Sequence, residues 1–101
     1  MRLLISTILL LAAGAASAAE PLPHAARLAA TCAACHGTNG ATVGTALPRL
    51  AGQGKDVLLA KLRAYKDGSA QATIMTQIAK GYTDEQLEQL AAWFAAQKTG
   101  R

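Results

Sequence analysis

Apolar residues near the carboxyl end of the chain recur with helical spacing. Leu87, Leu90 and Phe94 are three and four positions apart, which places them on one face of an α-helix. Thr83 precedes this stretch and Gln86 follows it by three residues, so each side chain can reach the other's free backbone N–H. The pattern predicts an amphipathic helix with a well-defined start at Thr83.

A second apolar stripe runs through the middle of the chain. Leu58, Leu62 and Tyr65 are four and three positions apart and share one helical face. Asp56 lies near the expected start of this helix, and Gly68 lies just beyond its expected end, where glycine is a common cap. The sequence therefore predicts a helix from Asp56 to just before Gly68.

The segment around the first cysteine is rich in alanine and leucine, which are strong helix formers. We expect a helix from His24 to about Ala34, ended by Gly37, so that Cys32 falls on its last turns. Residues 38–45 combine small polar residues with glycine and predict a loop. No stretch shows a strand pattern, and the predicted fold class is all-α, with three to five short helices.

The first residues have the three parts of a secretory signal peptide. Arg2 supplies a positive charge, residues 3–11 are an apolar run, and residues 16–18 are the small residues that a signal peptidase needs. The run is shorter than the roughly 20 residues of a membrane span, so no stable span is expected after cleavage. We predict a cleaved signal peptide at 1–18 and one domain at 19–101, with an uncleaved anchor as the alternative.

A domain of this size needs a source of stability besides its own core. Removing residues 1–18 leaves 83 of the 101 residues, and these include one Phe, one Trp and two Tyr. So few large apolar side chains fill a small core poorly, and domains of this length usually rely on a staple. A buried cofactor would supply the missing apolar volume.

The charge of the chain changes this picture little. The formal net charge is +4 and becomes +3 without Arg2, and no Lys/Arg cluster with interleaved aromatic residues is present. Together with export, this argues against a nucleic acid partner. Four basic residues on the central predicted helix could dock an acidic redox partner, or could form an ordinary solvated face: Lys55, Lys61, Arg63 and Lys66.

The candidate chemistry lies in the stretch from Cys32 to His36. Two cysteines separated by two residues and followed directly by histidine form the pattern that attaches a c-type haem. On one helical turn, Cys32 and Cys35 can each bond a haem vinyl group while His36 projects toward the iron. A disulfide or a redox pair is the alternative. A zinc site fails on ligand count, because the chain has no third Cys and only His24 besides.

Two further residues are candidates for the same site. Met75 is the one methionine outside the signal segment, and its neutral thioether could bind the second face of the iron or simply fill the core. His24 is the rival ligand, but a short helix keeps it on the side of His36. Pro48 could accept the proton of the imidazole's other nitrogen with its carbonyl, or could be an ordinary turn proline.

The order of these motifs resembles the class I cytochromes c. It consists of a C-x-x-C-H-G motif after a short helix, a Pro-Leu-Ala-Gly-Gln stretch with one residue inserted at 48–53, a lone methionine, and a terminal helix with an aromatic residue. Within that class the chain is most similar to small bacterial periplasmic cytochromes related to cytochrome c4 halves, cytochrome c553 and the cytochrome subunit of flavocytochrome c sulfide dehydrogenase. The last of these is suggested by Ala72 to Met75 followed by Ile78 to Asp84.

The resemblance implies the class I cytochrome c fold, wrapped around one covalently attached haem c. It implies thioether bonds from Cys32 and Cys35, His36 and Met75 as the axial iron ligands, and a Pro48 carbonyl that orients His36.

The resemblance also concerns the crossing of the first and last helices and the segment before the methionine. It implies that Trp93 is the aromatic residue where the first and last helices cross, although no glycine is available in the first helix at that crossing. Similar sequences often carry a basic residue shortly before the methionine, where this chain has Ser69, Ala70 and Gln71.

The implied function is outer-sphere electron transfer in the periplasm, with no substrate bound at iron and no enzymatic activity of its own. The expected partners are redox proteins, such as a flavoprotein dehydrogenase subunit or a terminal oxidase or reductase. Two alternatives remain: a cytochrome subunit of a flavocytochrome c sulfide dehydrogenase, and a ligand-binding haem protein with an open sixth site.

Overall fold

The computed structural model describes residues 23–99 of the chain. The predicted signal peptide at 1–18 lies outside these residues. The elements in chain order are α1 (His24–Ala30), α2 (Ala33–His36), a 3-10 turn (Thr38–Gly40), α3 (Lys55–Asp67), α4 (Met75–Lys80) and α5 (Asp84–Ala95). The described part is helical without strands, which confirms the predicted all-α class. No helix within residues 23–99 is long and apolar enough to cross a membrane.

Helix α5 begins as its sequence predicts. The Thr83 side chain accepts a hydrogen bond from the Gln86 backbone N–H at 3.1 Å, and Gln86 Oε1 accepts one from the Thr83 N–H at 2.9 Å. Asp84 and Glu85 in the first turn add negative charge where the helix dipole favours it. The predicted capping box is therefore confirmed.

Helix α3 also agrees with its predicted limits. It runs from Lys55 to Asp67 and ends at Gly68, which adopts the left-handed conformation with φ of 84°. Glycine reaches this region without the steric cost that a Cβ brings. The apolar spacing and the capping glycine together predicted each end of this helix to within one residue.

The first predicted helix is divided in two. Helix α1 ends at Ala30, and Cys32 is the residue that precedes the first turn of α2 rather than part of a continuous helix. The Thr31 hydroxyl donates to the Leu28 carbonyl at 3.0 Å, and such local bonds from threonine compete with regular helix geometry. The placement of Cys32 on the last turns of the first helix was wrong.

Helix α4 was not expected from the sequence. It has only six residues, too few for an apolar period to repeat, and it packs mainly against α3. Its buried residue is Ala79, with 1% of its surface exposed. Met75 is its first residue, so this helix sets where the Met75 side chain enters the fold.

The core is centred on α5, against which both α1 and α3 pack. Its buried members come from these three helices: Ala29, Leu58, Leu59, Leu87, Leu90, Ala91 and Phe94. Trp93 is half-buried against this cluster, and its buried Nε1–H has no hydrogen-bond partner within residues 23–99. The α1–α5 packing is as the resemblance implies, while the contact of Trp93 with α1 itself stays a prediction.

Two of the four basic residues on α3 are engaged in ion pairs. Arg63 pairs with Glu88 and Lys66 with Asp84, each at 3.1 Å, and both acids belong to α5. Exposed pairs of this kind contribute about 0 to 1 kcal/mol each, so they guide the α3–α5 contact more than they stabilise it. Two of the four positive charges that could dock an acidic redox partner are therefore already paired within the domain.

A crowded glycine fixes the loop that follows α2. Gly40 is buried with φ of 75°, and its carbonyl accepts hydrogen bonds from the N–H groups of Leu50 at 3.0 Å and Ala51 at 3.1 Å. A Cβ at Gly40 would lie 2.8 Å from both the Leu50 Cβ and the Phe94 Cδ1. Only glycine lets the loop approach α5 this closely.

We predict that Gly40→Ala destabilises the haem-loaded protein far more than Gly68→Ala. Both glycines have positive φ, but a Cβ at Gly68 meets nothing within 4 Å. Gly68→Ala should cost about 1 kcal/mol for the left-handed backbone, and Gly40→Ala about 2 to 5 kcal/mol once the overlaps are added. Guanidinium unfolding measures both values, and equal losses would contradict the crowding argument.

Candidate haem site

A single cavity brings the sequence-predicted site residues together. Its volume is about 420 Å³, and its wall includes Cys32, Cys35, His36, Pro48 and Met75. These residues come from three separate parts of the chain, the segment 32–36, the loop at Pro48 and the start of α4, which the fold brings together. We call this space the haem cavity.

The two cysteines lie on one helical turn. The Cys32 carbonyl accepts hydrogen bonds from the Cys35 N–H at 3.3 Å and from the His36 N–H at 2.9 Å. Both thiols are free, Cys32 half-buried and Cys35 exposed. Burial raises the pKa of the Cys32 thiol, against a smaller lowering effect of its hydrogen bond to Thr31. A neutral sulfur suits this wall, and a thioether is neutral at every pH.

His36 is buried and its ring orientation is fixed. Its Nδ1 lies 2.8 Å from the Pro48 carbonyl oxygen. A carbonyl can only accept, so Nδ1 carries the proton and Nε2 retains its lone pair. An imidazole held in this tautomer has the form required of a metal ligand, with its second nitrogen oriented by a neighbouring group.

The sequence did not identify Thr42 as part of this arrangement. Its hydroxyl lies within donating distance of two carbonyls, that of His36 at 2.9 Å and that of Pro48 at 3.0 Å. It thus connects the backbone of α2 to the proline that orients the imidazole. A threonine in a glycine-rich loop follows no regular spacing, so the sequence could not predict that Thr42 connects the His36 and Pro48 carbonyls.

Met75 is half-buried in the same wall, whereas the rival ligand is elsewhere. His24 is exposed at the start of α1 and is not part of the cavity wall. Within residues 23–99, no three His, Cys, Asp or Glu side chains are grouped to hold a metal ion. His36 and Met75 both belong to the cavity wall, and each carries an atom that can bind iron.

The rest of the wall is apolar with a few polar side chains. Core residues such as Leu58, Leu90 and Phe94 face the cavity as well as each other. Lys61 is the one charged side chain among the described residues of the wall. An apolar cleft with free thiols, an oriented imidazole and a thioether fits a covalently attached macrocycle, and it does not fit a hydrated ion.

Comparison with known proteins agrees with this geometry. The family model described as cytochrome c matches residues 24–98. The chain belongs to the cytochrome c family. It carries one covalently bound haem c, and Cys32 and Cys35 fit the C-x-x-C-H attachment motif of that family. Electron transfer is the function that membership supports.

Three relatives illustrate the range of this cytochrome's similarity. Cytochrome c4 of Pseudomonas aeruginosa is 39% identical over 98 residues, which are 96% of this chain and 49% of that protein. Cytochrome c-554(548) of Halomonas halodenitrificans is 38% identical over 71 residues, 67% of this chain and 86% of that protein. The cytochrome subunit of sulfide dehydrogenase of Chlorobaculum tepidum is 36% identical over 67 residues, which are 66% of this chain and 60% of that protein. The chain spans about half the length of the cytochrome c4.

We predict that the cytochrome does not fold stably without its haem. Without haem, the apolar wall of a cavity of about 420 Å³ is open to water, and a small domain with a total stability of about 5 to 15 kcal/mol has little other core to compensate for the lost apolar burial. Chain produced without haem maturation should lose most of its helical circular dichroism and its cooperative unfolding, while the haem-loaded protein keeps both. A cooperative unfolding transition in the haem-free chain would contradict this.

Proposed function

We propose that this cytochrome transfers single electrons between periplasmic redox proteins by an outer-sphere route. Cys32 and Cys35 would hold the haem by thioether bonds, and His36 and Met75 would bind its iron. The observation that carries the proposal is the convergence of these side chains on one cavity, with the imidazole oriented by the Pro48 carbonyl at 2.8 Å.

The haem supplies an iron that alternates between the ferrous and ferric states. His36 would bind the iron through Nε2, since its Nδ1–H bond to Pro48 keeps the ring from turning and increases its electron donation. The Met75 thioether is a soft, neutral ligand that favours ferrous iron and so raises the reduction potential. One electron enters and one leaves, and no bond to a substrate forms.

The remaining wall controls exposure to water. Leu58, Leu90 and Phe94 belong both to the core and to the cavity wall, so the residues that stabilise the fold also exclude solvent from the iron. A ligand set that does not change, in an apolar surrounding, keeps the structural change on oxidation small. These are the properties that an electron carrier requires.

The cellular location belongs to the same proposal. Residues 1–18 are cleaved after Ala18 as a signal peptide, and residues 19–101 act in the periplasm, where c-type haem is attached. If this is right, mass spectrometry of the protein isolated from the periplasm gives the mass of residues 19–101 plus one haem. A retained Met1 would overturn the cleavage.

A second function is favoured by one specific relative. The similarity to a protein named cytochrome subunit of sulfide dehydrogenase supports a role as the subunit that accepts electrons from a flavoprotein. A free shuttle that serves a terminal oxidase or reductase needs no stable partner. Met75 in the cavity wall argues against the third candidate, a ligand-binding protein with an open sixth site.

We predict that Met75→Ala converts the low-spin haem to a high-spin form that binds external ligands and has a lower reduction potential. The loss of the thioether opens the sixth position and removes the preference for ferrous iron. Ile78→Ala is the matched control, since Ile78 lies on the same helix and in the same wall but has no ligand atom. Visible spectra of both oxidation states measure the change. A low-spin Met75→Ala protein would contradict the assignment.

Purification at native abundance separates the shuttle from the subunit. We expect the cytochrome to elute alone, at the size of one small domain, and to be reduced by a donor protein added later. Elution together with a stoichiometric flavin-containing chain would instead establish the subunit function. Flavin fluorescence after denaturation, measured on the haem-containing fractions, distinguishes the two results.

A further inference from the structure

A hydrogen bond joins the cysteine-bearing segment to the far end of α4. The hydroxyls of Thr31 and Tyr82 are 2.7 Å apart, although the residues are 51 positions apart in the chain. Thr31 directly precedes Cys32, and Tyr82 follows α4 by two residues. Both side chains belong to the wall of the haem cavity.

Thr31 has one hydroxyl proton and three groups that could receive it: the Leu28 carbonyl at 3.0 Å, the Tyr82 hydroxyl at 2.7 Å and the Cys32 sulfur at 4.0 Å. Either hydroxyl can donate in the Thr31–Tyr82 bond. Removal of either hydroxyl abolishes the bond, whereas serine at position 31 can reproduce it.

The two ends of α4 differ in what holds them beyond the helix itself. Both ends have backbone hydrogen bonds of the helix itself, from the Gln77 N–H to the Ile74 carbonyl at 2.9 Å and from the Tyr82 N–H to the Ala79 carbonyl at 3.2 Å. Beyond the carboxyl end, the Tyr82 hydroxyl bonds to Thr31 and the Thr83 capping box follows at once. Before the amino end, Ile74 has no side-chain cap and residues 71–74 are all exposed. Met75 is thus positioned from the Tyr82 end of the helix and by lateral packing against α3.

We propose that Tyr82 is a positioning residue that keeps Met75 on the iron through its bond to Thr31. The inference rests on the proposed His36 and Met75 ligation and adds to it the device that maintains it. Helix α4 has six residues, so a shift at Tyr82 moves Met75 with it. Without the bond, the fraction of molecules in which Met75 has left the iron increases.

The size of the effect follows from the strength of one exposed hydrogen bond. Such a bond changes the population of an open state by about two- to tenfold. An external ligand binds only the open state, so its apparent affinity increases by the same factor. We expect Tyr82→Phe to bind imidazole about two to ten times more tightly than the wild-type ferric protein does.

The experiment is an imidazole titration of haem-loaded ferric variants, followed in the visible spectrum. Thr31→Val should match Tyr82→Phe, Thr31→Ser should retain wild-type affinity, and the double variant should show no more than the larger single effect. Lys66→Met is the control for general loosening, because it removes the exposed ion pair to Asp84 outside the haem cavity. Its imidazole affinity should equal that of the wild type.

The outcomes separate this proposal from the one on which it rests. If Met75→Ala binds imidazole no better than the wild type, the ligand assignment fails. If Met75→Ala binds it more tightly but Tyr82→Phe or Thr31→Val does not, only the positioning role is overturned. Independent, multiplying effects in the double variant, or an equal increase in Lys66→Met, would overturn it as well.

Discussion

The hydrogen bond from His36 Nδ1 to the Pro48 carbonyl is the contact on which the geometry of the site depends. It selects the imidazole tautomer, fixes the plane of the ring and joins the cysteine turn to a loop twelve residues further on. That loop can reach α2 because Gly40 accepts two backbone bonds at a place where no side chain fits. The orientation of the His36 ring thus depends on a backbone path that passes Gly40, where only a residue without a side chain fits.

Folding and cofactor binding use the same residues in this protein. Leu58, Leu90 and Phe94 form part of the buried cluster and also part of the haem cavity. Helices α1 and α3 both pack against α5. The haem would therefore complete the core, which agrees with the few large apolar side chains of the domain.

The sequence predicted those features that depend on residues close together in the chain. The limits of α3 and α5 follow from periodicity and from caps at Gly68 and Thr83, and the cysteine motif follows from spacing alone. The break after Ala30 was missed because Thr31 and Cys32 keep right-handed helical dihedral angles and only the backbone hydrogen bonds change, which leaves no mark on the apolar pattern.

Other features of the site are invisible to the sequence because they arise from tertiary contacts. Helix α4 is too short to show a period, and it forms where α3 offers a surface to pack on. The Thr42 hydroxyl bonds to the Pro48 carbonyl, and the Thr31 hydroxyl bonds to that of Tyr82. No regular spacing along the chain predicts either contact. Likewise, the pairing of Arg63 with Glu88 could be recognised only after α3 and α5 were known to lie side by side.

The exposure of Cys35 has a consequence for how electrons reach the outside. Cys32 is half-buried, but Cys35, the second proposed point of attachment, is at the surface of the molecule. A thioether at Cys35 would link the surface to the haem through one saturated carbon, so an electron could pass at this edge without crossing a layer of buried side chains. A donor or acceptor would then need only to approach this edge.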